Sequence, residues 1–192
     1  MQQLIELLFI LLRLWAPLPT ATIPAEPLEQ RAFRLTQNDR YDPLILVAAQ
    51  EWKIDPFLFK GLLFAESGFK PQKINRLGAA GIAQLTGGGR TGVRNVRCMR
   101  GLCRSFTLQD ALNPETAIPA AAELLAYLRR TCGEDRMLSA YNTGNCKARV
   151  RVFVRVVTQH TNRFRTLGGL PPLSLPPTRP SRLLAQQNPP NS

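Results

Sequence analysis

Glu66 closes an apolar stretch of helical character, with Phe64 and Ala65 before it and Ser67, Gly68 and Phe69 after it. A carboxylate at the C-terminal end of a helix meets the negative pole of the helix dipole, which favours its protonated form. Shielding by the neighbouring aromatic rings would raise its pKa further, toward the range a general acid needs near neutral pH. Position alone does not separate such a group from an ordinary solvated Glu, because most glutamates lie at the surface. Other chemistries are poorly provided for. His160 is the only histidine; no Ser/His/Asp arrangement or metal-ligand spacing surrounds it, so it reads as a surface or core residue. The run Gly87-Gly88-Gly89-Arg90-Thr91-Gly92 lacks the Lys-Ser/Thr ending of a phosphate-binding loop. Neither a cofactor nor a metal is expected.

The residues around Glu66 carry more information than its position. Ala65-Glu66-Ser67-Gly68-Phe69-Lys70-Pro71 is followed by Gly78-Ala79-Ala80-Gly81-Ile82-Ala83-Gln84-Leu85, then by Asn113-Pro114-Glu115 with Ile118, then by Ala140-Tyr141-Asn142-Thr143-Gly144. In this order and spacing the four motifs resemble the soluble lytic transglycosylase (SLT) family, whose domain is similar to goose-type lysozyme. The resemblance covers about Asp42 to Phe164. It implies a mainly α, lysozyme-like fold acting on peptidoglycan glycan strands. It also implies that Glu66 is the catalytic acid, protonating the oxygen between N-acetylmuramic acid and N-acetylglucosamine. Ser67 matches the hydroxyl beside that Glu. Gly78 and Gly81 match glycines that let backbone approach the glycan, and Gln84 matches a glutamine lining the cleft. Tyr141 and Asn142 match the pair that faces the catalytic Glu from another helix, where a Tyr hydroxyl would steady the carboxyl. Where the family commonly has Met-Gln-Leu-Met-Pro, this chain has Ala83-Gln84-Leu85-Thr86-Gly87, so a different cleft lip is expected.

The count of carboxylates bears on the reaction. A retaining glycosidase sets a second carboxyl about 5 Å from the first, and an inverting one sets it farther away. No Asp or Glu occurs between Glu66 and Asp110. In the family the substrate's N-acetyl group is thought to assist, and the same Glu then acts as base on the carbon-6 hydroxyl, leaving a 1,6-anhydro end. One carboxylate suffices for that. Asp110 folding back into the cleft would instead allow a hydrolytic muramidase, and a relative that binds peptidoglycan without cleaving it is a third reading.

The elements that must hold these residues are helical. Asp42-Pro43, Asp55-Pro56 and Asn113-Pro114 each place a capping side chain before a Pro at the first helical position. The stripes Leu44/Val47/Ala48/Trp52, Leu58/Leu62/Ala65 and Ile118/Ala121/Ala122/Leu125/Leu128 predict three buried faces. Trp52 is thus expected in the core, Gly68 as a stop, and Pro119 as a kink. A short helix is predicted through Leu138-Ser139-Ala140-Tyr141, ended by Gly144. Leu77 to Gly92 reads as loop and short helix, because Gly87-Gly88-Gly89 holds a regular element at high entropic cost. Arg149 to Phe164 fits strand alternation and a helical face equally by pattern; the resemblance favours helix.

The ends suggest export. Leu4 to Trp15 is too short to span a membrane and suits a secretory h-region, an amphipathic first helix being the alternative. Residues 1–21 are therefore expected to be a signal peptide, 22–38 a linker, 39–166 the lysozyme-like domain and 167–192 a Pro-rich disordered tail. The expected location is periplasmic or secreted, with no transmembrane anchor in the mature chain. The simplest disulfide pairing is Cys98–Cys103 with Cys132–Cys146, one of three connectivities. A zinc site is the rival, although its second pair is too widely spaced. A net charge of +12 calls for an anionic partner or surface. Peptidoglycan fits that charge, and an envelope-spanning secretion or conjugation machine is a further candidate; nucleic acid is not expected, since it would leave the ordered motifs unexplained. Arg90, Arg94, Arg97, Arg100 and Arg104 either favour an acidic glycan or partner or form a solvated basic loop.

Overall fold

Each helix of this chain begins or packs for a local reason, and the reasons are not always those the sequence suggests. The computed structural model describes residues 26–35 and 39–174, so the expected signal peptide and the tail beyond residue 174 lie outside it. Among the described residues there are eight helices and no extended strand. They are α1 Leu28–Leu35, α2 Asp42–Trp52, α3 Pro56–Ser67, α4 Gly87–Cys98, α5 Leu108–Leu112, α6 Pro114–Cys132, α7 Met137–Thr143 and α8 Arg151–Leu167. No helix among the described residues is long and apolar enough to cross a membrane.

The caps at Asp55 and Asn113 are as expected. Asp55 Oδ1 accepts from the Phe57 and Leu58 amides at 2.8 and 3.3 Å, and Asn113 Oδ1 accepts from the Glu115 amide at 3.1 Å. Asp42 is different. Tyr41 takes the cap position of α2 without a side-chain bond, and the fully buried Asp42 carboxylate turns inward to Lys60 Nζ at 2.7 Å. The Lys60 ammonium also lies 4.8 Å from the centre of the Phe164 ring and 5.5 Å from that of Phe33, so α2 and α3 form one buried charge pair whose aromatic shell comes from α1 and α8. Such a pair is demanding of geometry, because either partner alone would be a stranded buried charge.

Helix α3 is the centre of the structure. Phe57, Phe59, Gly61, Leu62 and Leu63 are all buried, so it is covered on more than the single face its predicted stripe implied. Its closest neighbour is α8. At Gly61 a side chain would overlap Thr161, so the missing Cβ lets the two backbones approach. Arg165 reaches from the far end of α8 to Asp55 Oδ2 at 2.6 Å. This pairing resolves Arg149 to Phe164 as helix over Arg151–Leu167: Val157 and Thr161 point inward while Arg151, Val152 and Arg155 are exposed.

The other differences from expectation have similar causes. On α2 the buried residues are Ile45, Leu46, Ala48 and Ala49, whereas Val47 is exposed; Ile45, Leu46 and Ala49 share by their spacing the face of the buried Asp42. Leu28–Leu35 lies in the expected linker but forms a helix whose Phe33 meets the Phe57 ring edge-on at 5.1 Å. The three glycines at 87–89 open α4 rather than forbidding it. Thr86 caps the helix by accepting from the Gly89 amide at 3.1 Å, and the buried Val93 and Val96 hold the rest. Helix α6 runs unbroken through Pro119, with the predicted Ile118, Ala121, Ala122 and Leu125 all buried. Both disulfides have the simplest pairing, Cys98–Cys103 and Cys132–Cys146, so these four thiols are not zinc ligands.

Candidate active site

Glu66 sits in the last turn of α3, before Gly68 ends the helix in a left-handed conformation with its amide bonded to Phe64 O at 2.8 Å. Its side chain is half-buried. Burial pushes the carboxyl up from 4.5 to about 7, and the Lys73 ammonium pulls the other way. The aromatic residues expected to shield it do something else. Phe64, two positions away and so on another side of the helix, packs with Phe164 at 5.8 Å and His160 at 4.6 Å on α8, and Phe69 joins the same cluster. His160 is therefore a packing residue, and burial holds its imidazole below the ordinary range.

The second motif forms a loop that is buried along its whole length from Ala79 to Leu85. A buried loop must satisfy its own polar backbone, and the motif residues supply the partners. Isolated bridges pair Ala80 with Ile74 and with Leu85. Ser67 Oγ donates to Ile82 O at 2.8 Å, fastening the loop to the end of α3. Gln84 Nε2 donates to Gly81 O at 2.9 Å and to Lys73 O at 3.0 Å. Tyr141 Oη, from α7, donates to Ala83 O at 3.0 Å. Three consecutive carbonyls, those of Gly81, Ile82 and Ala83, are thus taken by the three motif side chains. Gly81, at φ +78°, faces the Ala111 carbonyl, which any side chain there would overlap. Gly81 accordingly makes room for protein backbone, whereas Gly78, also at positive φ, is exposed with open space beside it.

Tyr141 joins Glu66 to this network. Burial drives its phenol well above the usual value, and the charge of Glu66 acts in the same direction, so the two groups are electrostatic neighbours. Asn142 follows on the exposed side of α7. The Cys132–Cys146 bridge ties the end of α6 to the segment after α7, fixing the helix that carries Tyr141 and Asn142.

Of the carboxylates downstream, Asp110 and Glu123 are committed elsewhere. Asp110 forms a capping box with Thr107, accepting from its amide at 2.8 Å, and this bonding holds its carboxyl below the usual range. Glu115 is exposed at the start of α6. Glu123 is buried, paired with Arg97 at 3.1 Å and Arg100 at 2.8 Å. Those two arginines belong to the basic segment and are tied down there, whereas Arg94 and Arg104 of the same segment are exposed. Arg100 also lies over the Trp52 ring, and Arg90 donates to Leu85 O at 3.0 Å. A separate cavity of about 560 Å³ opens there, lined by Trp52, Arg100, Pro119 and Glu123 among others, with none of the motif residues. Trp52 is half-buried at its edge. Among the described residues no cluster of three or more His, Cys, Asp or Glu could hold a metal ion.

Two residues of the site carry no sequence signal in the motifs. Asn75 shapes the loop by accepting from the Leu77 and Ala79 amides at 2.9 and 3.0 Å. Lys73 Nζ donates to the Glu66 carbonyl at 2.7 Å. An Asx turn is foreseeable from an Asn near Gly; a lysine seven residues beyond Glu66 is not.

Known proteins resemble this chain in sequence and in fold. Residues 43–152 match the family described as the transglycosylase SLT domain. Membrane-bound lytic murein transglycosylase C of Haemophilus influenzae is 32% identical over 123 residues, covering 59% of this chain and 34% of the relative. Its counterpart in Histophilus somni is 33% identical over 123 residues, covering 59% and 33%. The chain therefore spans about a third of the length of these curated relatives. Among solved structures, an inactive Glu-to-Gln mutant of lytic transglycosylase Slt from Pseudomonas aeruginosa superposes with a TM-score of 0.55 at 15% identity, covering 69% of this chain and 25% of that one. At that identity the likeness is one of fold.

Proposed function

The chain belongs to the transglycosylase SLT domain family, and from that premise we propose that it is a peptidoglycan lytic transglycosylase with Glu66 as its single acid and base. The bond cleaved is that between N-acetylmuramic acid and N-acetylglucosamine, and the product ends in 1,6-anhydro-muramic acid. Protonated Glu66 gives its proton to the bridging oxygen as the bond to muramic acid carbon 1 breaks. The substrate's acetamido oxygen holds the electron-poor carbon meanwhile. The Glu66 carboxylate then takes the proton of the carbon-6 hydroxyl, whose oxygen closes on carbon 1. Glu66 ends as it began, protonated, and no water is consumed.

The observation that carries this reading is the environment of Glu66: a half-buried carboxyl raised to about 7, with the half-buried Tyr141 as its electrostatic neighbour. A carboxyl with that pKa is a competent proton donor and acceptor near neutrality. The commitment of Asp110 to its capping box supports the one-carboxylate route over hydrolysis, which needs a partner carboxyl facing the sugar. The inactive Glu-to-Gln form of the structural neighbour supports an essential Glu in this fold. The relatives named as membrane-bound murein transglycosylases support an envelope location, periplasmic or secreted.

The deciding experiment is mass spectrometry of the products released from purified sacculi, with Glu66→Gln as control. Anhydro-muramic ends that vanish with the variant are expected. Reducing ends would mean hydrolysis, and the absence of any product would favour a binding protein. The acid role also predicts that kcat/KM falls as pH rises through about 7.

A further inference from the structure

Lys73 is held at both ends. Its carbonyl accepts from the Gly81 amide at 2.9 Å and from Gln84 Nε2 at 3.0 Å, so its backbone is built into the buried loop. Its side chain is exposed, and Nζ reaches the Glu66 carbonyl at 2.7 Å. An ammonium has three N–H donors; that carbonyl takes one and leaves two for a ligand at the mouth of the site. The position works against the acid. A positive charge there favours ionised Glu66, opposing the burial that keeps it protonated. A site shaped for proton donation alone is better served by a neutral residue. In the proposed cycle that charge suits the base step and hinders the acid step, unless an anion on the substrate neutralises it while the acid acts.

Muramic acid brings one. It differs from N-acetylglucosamine by a lactyl arm on the same ring whose carbon 1 is attacked. In strands without stems that arm ends in a carboxylate; in strands with stems it carries a peptide containing acidic residues. Resting on the transglycosylase reading of Glu66, we propose that Lys73 binds a carboxylate borne on the lactyl arm of the muramic acid being cleaved, and so selects that sugar at the reacting position. Pairing with the substrate anion also neutralises the field that Lys73 exerts on Glu66. Binding of the correct sugar therefore favours the protonated form that the first step requires.

The test measures affinity of the whole protein in a Glu66→Gln background, where no turnover interferes. Three ligands are compared: glycan strands with stems, strands stripped of stems by an amidase, and neutral N-acetylglucosamine oligomers of equal length. Lys73→Met should weaken binding to one or both muramic acid strands by on the order of tenfold, with the neutral oligomer unaffected. Loss confined to stripped strands assigns the lactyl carboxylate, and loss confined to stem-bearing strands assigns the stem. Lys73→Arg, which keeps the charge, should remain within about threefold of the parent. Unchanged affinity with Met for all three ligands, an equal loss for all three, or an Arg variant as weak as Met overturns the proposal. Persistent lytic activity of Glu66→Gln would instead defeat the reading of Glu66, a result separate from these affinities.

Discussion

Replacing Glu66 with Gln should stabilise the folded protein in alkali and leave its stability nearly unchanged in acid. In the folded chain the carboxyl keeps its proton up to about 7, whereas its ordinary value is 4.5. Between those values the folded state binds more protons than the unfolded state, so stability declines as pH rises through the window. At about 1.4 kcal/mol per unit, the full shift corresponds to about 3 kcal/mol above pH 7. Water reaching the half-buried side chain reduces that to about 2 kcal/mol. Gln has nearly the shape of the protonated acid and no charge to desolvate, so the variant escapes this cost. Thermal unfolding with both disulfides intact, followed by circular dichroism at pH 4 and pH 8.5, measures the difference. The variant should match the parent at pH 4 and melt roughly 5–8 °C higher at pH 8.5. Equal shifts at the two pH values would refute the argument, because they would place the effect in packing and leave the carboxyl without a raised pKa.

Other expectations follow from the same geometry. Asp110→Asn weakens the capping box with Thr107 and should cost about 1 kcal/mol in urea unfolding, while product analysis still finds anhydro ends; loss of cleavage with the fold intact would return Asp110 to the reaction. Gly81→Ala forces a left-handed residue and an overlap with the Ala111 carbonyl, so a loss of about 3 kcal/mol is expected in the same assay. A tolerated alanine would mean that the loop does not pack on α5 as described. Removing Cys132–Cys146, with 14 residues of separation, should cost about 3 kcal/mol, and removing Cys98–Cys103, with 5, about 2 kcal/mol. The first loss should also depress turnover by loosening the helix that carries Tyr141, and comparison of kcat in the two Cys→Ser pairs checks it.

Much of this protein is written locally in its chain. Asp55 and Asn113 cap their helices because each cap bond spans only two or three residues, and such bonds form wherever the sequence places them. Most of the stripe on α6 is legible for the same reason, although residues 120–126 are buried on every side of that helix, which the pattern does not foretell. The motifs around Glu66, Gln84 and Tyr141 indicate the family, and Glu66 stands out as a carboxylate at a helix end. What the sequence leaves open is set by contacts between distant segments. Arg149 to Phe164 satisfies two periodicities, and only Gly61 against Thr161 and Asp55 against Arg165 select the helix. Asp42 looks like a cap until Lys60 claims it from 18 residues away. Gly81 gives no sign of its neighbour until the Ala111 carbonyl packs against it, and Arg97 and Arg100 are indistinguishable from the other arginines of the basic segment until the buried Glu123 draws them in. Residue type and spacing fix which bonds a segment can make with itself; where one donor or one face has several candidate partners, only the folded arrangement of the whole chain decides which it meets.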